Sequence, residues 1–340
     1  MNRTLRAIVI ALALIVAGAV LGGCGLWGMD GAWDQLTGEN SMVTTEEAVT
    51  GDFDNIEIDV FWLDVELLPS ADGTCSYKAS TYETMPCTVI VENGTLKVHQ
   101  ADNRKWYNHI GIYWNEQTLT LYLPRDAYDQ LTYEGRTSDL TVPENFRFGS
   151  VNAKNSTGDV TFSAQVTGNL AITCSTGDIN LNGVAAQAIT ASVSTGDVIM
   201  EKISCDSLSV RTSTGQCHLR DVTVQNHLSA TSGTGKKVFT NVTCGSLDME
   251  STTGDNALTN VVVSGDAKME SSTGDWVLSR FDAANIQIQA STGDVEGTLR
   301  SDKVFSVTTD TGDVEVPKTN SGGRCEITTD TGDIDIEIVP

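Results

Sequence analysis

The chain has 340 residues, 40% of them hydrophobic, enough to bury a sizeable core in two ordinary domains or in one elongated array. Lys and Arg number 21 against 45 Asp and Glu, a formal net charge of -24, so the chain repels polyanions and nucleic acid is excluded as a partner. The acid is spread among β-formers, Gly and Thr rather than gathered in a tail, which points to a folded acidic surface suited to cations or cationic peptides.

Arg3 and Arg6 precede an uncharged run from Ala7 to Met29, long enough to span a membrane as a helix at about 1.5 Å rise per residue. Inside it, Leu21-Gly22-Gly23-Cys24 resembles the lipobox at which a bacterial lipoprotein is cut and lipidated on cysteine. Residues 1–30 are therefore either a membrane-anchoring helix or a lipoprotein-type signal with Cys24 as the lipidation site. The apolar continuation from Gly25 to Met29, with Trp27 and Trp33 placed as interfacial aromatics, favours the span. Either anchor leaves the N-terminus in the cytoplasm, so the chain is expected at the cell membrane with its bulk extracytoplasmic. Residues 31–50, polar and acidic, read as a linker.

Residues 51–143 read as an irregular N-terminal β cap. Period-two alternation marks Ile56, Ile58 and Val60, and again Leu119, Leu121 and Leu123. Glu92-Asn93-Gly94-Thr95 is a hairpin turn between Val89–Val91 and Leu96–Val98. Cys75 and Cys87 could close a hairpin-sized loop with a disulfide, which the space outside the cell permits. The aromatics Trp106, Tyr107, Tyr113 and Trp114, with His109, form a candidate ligand-binding cluster that could stack on a sugar or hold a cationic peptide; packing inside the cap is the competing use.

From residue 144 to 340 the chain is a repeat. Ser-Thr-Gly-Asp or a near relative recurs ten times, with its glycine at Gly158, Gly177, Gly196, Gly215, Gly235, Gly254, Gly274, Gly293, Gly312 and Gly332, at intervals of 19 or 20 residues. Apolar residues hold fixed offsets around each glycine, as in Leu170, Ile172, Ile179 and Leu181 around Gly177, and within each half their spacing is two. Helical repeats are thereby excluded, and each coil reads as strand, turn, strand, turn with Thr-Gly-Asp at the corner. Thr137-Ser138-Asp139 reads as a degenerate first coil. The expectation is all-β: a single-domain β-solenoid, β-helix-like, of about ten coils behind a β cap and one membrane-anchoring helix, its open edge covered by the cap. Cys205 and Cys244 share a phase two coils apart, too far for a disulfide, and read as buried apolar residues.

The residue after the repeat glycine is Asp except at Gln216 and Lys236, so stacking builds a carboxylate ladder broken once. Each Asp caps its own turn in the plain reading; calcium binding is the sharper one, best placed at Asp310, Asp313, Asp330 and Asp333, where the acids are doubled. The Gly-Gly-x-Gly-x-Asp repeat of calcium-bound β-rolls is absent. No Cys-x-x-Cys pair occurs, and His99, His109, His218 and His227 lack metal-motif spacing, so no cofactor other than calcium is expected. A polysaccharide-acting enzyme, the role of some β-helices, would need unlike acids in a cleft walled by long loops. Here the acids are equivalent by repetition and the period admits no insertions, so the chain reads as a non-enzyme.

The run from Gly51-Asp52-Phe53-Asp54-Asn55-Ile56 through Trp106-Tyr107, Tyr122-Leu123-Pro124 and the Ser-Thr-Gly-Asp series to Cys325-Glu326-Ile327-Thr328-Thr329-Asp330-Thr331-Gly332-Asp333 resembles a bacterial domain-of-unknown-function family provisionally labelled adhesin. The resemblance implies a β-solenoid behind a membrane anchor, with some members tied to cell-envelope stress, and it carries no catalytic residues over. The expected function is a surface module, adhesin-like or structural, meeting cell-envelope glycan or protein. The alternative is a stress sensor or decoy that captures cationic peptides.

Overall fold

The computed structural model describes residues 41–104 and 115–339, and every regular element among them is a β-strand. The coils stack in parallel register, Leu170 beside Ile189 beside Leu208, and Ile179 beside Val198 beside Cys217. Alternation by two sends Leu170, Ile172, Ile179 and Leu181 inward, each at most 2% exposed, and the same offsets in later coils extend one apolar core along the rod.

Each coil turns twice. At the first corner the repeat glycine holds a φ that only glycine adopts without strain, +128° at Gly177 and +145° at Gly196. The preceding coil also passes so close that a Cβ on Gly196 would lie 2.1 Å from the Gly177 carbonyl oxygen. The second corner, not read from the repeat, turns on one left-handed residue: Gly183, Lys202, Asp221, Asn241, Asn260 and Arg280 in successive coils. After it the chain runs two or three residues, as Ala185-Ala186 beside Ser204-Cys205, before a bend returns it to the first face.

The spatial order departs from the chain order at both ends. Strand Gly323–Thr331 lies between Trp276–Thr292 and Lys303–Thr311, and Ile334–Ile338 lies between Val295–Leu299 and Val314–Glu315. The Gly332 coil is thus inserted between the Gly293 and Gly312 coils. At the other end, Asn55–Val60 and Asp64–Pro69 form a coil sandwiched between the strands 95–100 with 118–123 and the strands 127–137 with 140–142.

The solenoid therefore begins upstream of residue 144, inside the region read as a cap. Capping falls to antiparallel strands: Cys75–Tyr82 pairs with Thr118–Leu123, Met42–Val49 pairs with Cys75–Tyr82, and Cys87–Glu92 pairs with Thr95–Gln100. Residues 42–49, read as part of a linker, are thus folded, because they cover the cap's outer edge. The Asn93-Gly94 hairpin is present, with φ 51° and 73°. An aromatic file of Phe53, Tyr128, Phe146, Phe148 and Phe162, with successive ring centroids 5.6 to 6.5 Å apart, fills the core where cap and repeats meet. Among the described residues no helix is long and apolar enough to cross a membrane; the expected anchor and Cys24 lie outside them.

Candidate functional site

The carboxylates after the repeat glycines act between coils rather than within their own turns. Along most of the rod the Asp Oδ1 accepts the backbone N–H of the equivalent residue one coil on: Asp159 from Asp178 at 2.7 Å, Asp178 from Asp197 at 2.7 Å, Asp197 from Gln216 at 2.6 Å. The ladder starts earlier than the repeat, with Asp64 accepting from Asp139 and Asp139 from Asp159, at 2.9 and 2.8 Å. It stops at Gln216, whose side chain turns instead to His218 Nε2 at 3.1 Å, and it resumes with Asp255, Asp275 and Asp294. It then follows spatial order, Asp294 accepting from Asp333 and Asp333 from Asp313, both at 2.8 Å. Burial raises the Asp64 carboxyl above the ordinary 3.8, the Asp139 amide opposing it.

The four acids expected to hold calcium lie in the two outermost coils at this end of the rod. Asp310 and Asp330 stand in adjacent coils, as do Asp313 and Asp333, but the first pair projects outward before the corner and Asp333 is committed to the Asp313 amide. Among the described residues no three acidic, His or Cys side chains converge as a cation site requires. Cys75 and Cys87 are free thiols, not a bridge: Cys75 is buried opposite Val49 at the start of its strand, while Cys87 sits beside Gln100 on another hairpin. Cys205 and Cys244 are free and buried as read, and burial pushes both thiols up to about 12. The cluster of Trp106, Tyr107, Tyr113 and Trp114 lies outside the described residues.

Two features escaped the repeat reading. On the outer face before the glycine corner, a groove of about 490 Å³ crosses the Gly235, Gly254, Gly274, Gly293 and Gly332 coils. Its acids are Glu250, Glu270 and Asp330, and Lys268 lies 2.7 Å from Glu270. Small inward Ser232, Ser251 and Ser271 leave its floor open between the outward side chains on either side. Only the coils as stacked bring Asp330 beside the Gly293 coil, so chain order conceals this acid's place in the groove.

The second feature is inside the rod. The position two after the repeat glycine is apolar at Val160, Ile179 and Val198, then runs Cys217, Lys237, Asn256, Trp276, each the register partner of the next. Lys237 is 1% exposed and Asn256 0%, and Lys237 Nζ meets Asn256 Oδ1 at 3.4 Å. Burial holds the Lys237 amine down at about 8 and pushes the Cys217 thiol up to about 12. Aligning the repeats on their glycines shows this interruption, since charge replaces an apolar residue at a fixed inward offset.

The family model Toastrack DUF4097 matches this chain over residues 53–236 and again over 186–339. Among solved structures, a Parabacteroides distasonis protein provisionally described as lipid binding is similar at 14% identity, with a TM-score of 0.42 over 76% of this chain and 95% of its own. A provisionally named adhesin from Bacteroides fragilis is 13% identical, TM-score 0.30, over 88% of this chain and 98% of its own. One from Parabacteroides merdae is 10% identical, TM-score 0.31, over 86% and 97%. No curated protein matches the chain.

Proposed function

This chain belongs to the Toastrack DUF4097 family, and we propose that it is a non-enzymatic, extracytoplasmic binding or structural module, held at the cell membrane by an anchor within residues 1–30. One observation carries the reading. The repeated acids, the most abundant candidate catalytic groups, accept backbone amides of neighbouring coils from Asp64 to Asp197 and again at Asp255, Asp275, Asp294 and Asp333. Equivalent carboxylates in equivalent surroundings do not separate into an acid and a base.

A second reading, capture of cationic envelope-active peptides, is favoured by the groove, which is lined by Glu250, Glu270 and Asp330, with Lys268 paired to Glu270 beside it. Residues 41–340, immobilised and exposed at physiological salt to cationic peptides and to cell-envelope glycan fragments, distinguish the two. Retention of the peptides, weakening with added salt, supports capture. Retention of glycan alone supports the adhesin-like module. Turnover of any polysaccharide would overturn both.

A further inference from the structure

A nucleophile and an amide carbonyl face each other in the dry interior of the rod. Lys237 and Asn256 are direct register partners on adjacent parallel strands, 1% and 0% exposed, with Nζ and Oδ1 3.4 Å apart. We propose that the Lys237 amine condenses with the Asn256 carboxamide, forming an intramolecular isopeptide bond between the Gly235 and Gly254 coils.

The surroundings suit the reaction at several points. Asn256 Nδ2 donates to the Gly254 carbonyl at 3.3 Å, which orients the amide with Oδ1 toward the amine. Burial holds the Lys237 amine down at about 8, which raises its neutral fraction above that of an exposed lysine, and only the neutral amine is a nucleophile. On one side Cys217, its thiol pushed up to about 12, stays protonated and does not compete as a thiolate. On the other side Trp276, 0% exposed, covers Asn256 while its Nε1 donates to Ser271 Oγ at 2.9 Å. The fixed register supplies proximity, and the absence of bulk water disfavours hydrolysis of the product.

The step balances without an oxidant. The Lys237 Nζ to Asn256 Cγ bond forms, the Cγ–Nδ2 bond breaks, a proton moves from Nζ to the leaving nitrogen, and ammonia departs. The product is a covalent rung across the middle of the solenoid, near the break at Gln216 and Lys236 where the carboxylate ladder supplies none.

Mass spectrometry of the full-length protein, digested after denaturation, tests this. The expected result is a branched peptide joining Lys237 to Asn256, lighter than the sum of its linear parts by one ammonia, about 17 Da. Asn256→Asp should give the same branch with loss of water, about 18 Da. Linear peptides carrying unmodified Lys237 and Asn256 from folded protein overturn the proposal. Ammonia loss confined to Asn256, with a free Lys237, overturns it equally.

Discussion

Asp178 both donates and accepts along the ladder: its amide gives a hydrogen bond to Asp159, and its Oδ1 takes one from Asp197. Removing the acceptor should leave the Asp197 amide to water, at a cost of about 1 kcal/mol for Asp178→Ala. Asp178→Asn keeps an oxygen in place and should fall within about 0.5 kcal/mol of wild type by urea unfolding. Asp64 adds a pH dependence. Its folded carboxyl titrates above the unfolded 3.8, so between those values the native state binds more protons and stability falls as pH rises. Above the folded value the loss is complete and constant. Asp64→Asn keeps the acceptor for Asp139, so its unfolding midpoint should fall less across that window than the wild-type midpoint does. Expecting Asp at each corner was possible from the sequence; its partner was not, because a capped turn and an inter-coil bond require the same residue in the same place.

At the scale of the coil, the two corners have unlike tolerances. Ala at Gly196 would combine a strained φ of +145° with a Cβ 2.1 Å from a carbonyl oxygen, and moving that oxygen disturbs the neighbouring coil. Gly196→Ala should cost about 3 kcal/mol or more. At Gly183 the φ is +70° and a Cβ would meet nothing within 4 Å, so Gly183→Ala should cost only about 1 to 2 kcal/mol, the intrinsic price of a left-handed alanine. Thermal or urea unfolding of the two variants checks the contrast. The first corner was legible because close approach admits one residue type there. The second was hidden because open space admits Lys202, Asp221, Asn241 and Arg280 alike, leaving no constant letter.

At the scale of the whole molecule, period and phase were legible while the order of the terminal coils was not. Asp310-Thr311-Gly312-Asp313 and Asp330-Thr331-Gly332-Asp333 carry the same apolar offsets, so either coil fits either slot by pattern alone. Insertion of the Gly332 coil leaves the Gly312 coil outermost, with Val304 44% and Val314 46% exposed. In the intact protein, hydrogen exchange should therefore find the amides of the outermost strand 303–311 less protected than those of 323–331, which lie between two strands. The reverse order of protection would mean consecutive stacking. The N-terminal coils were obscured in the same way, since Asn55 pairs with Thr95 and Gln130, 40 and 75 residues further along the chain.

The acids after the repeat glycines hold coil to coil, whereas those of the outer groove are the ones we propose would meet a cationic peptide. Two variants of equal charge separate these roles: Glu250→Gln with Glu270→Gln and Asp330→Asn in the groove, and Asp159→Asn with Asp178→Asn and Asp197→Asn on the ladder. Retention of a cationic peptide by residues 41–340 is the measurement. The groove variant should lose at least tenfold in affinity, about 1.4 kcal/mol, while the ladder variant stays within about twofold of wild type. Equal losses, or a larger loss on the ladder, would mean that the groove is not where the peptide binds.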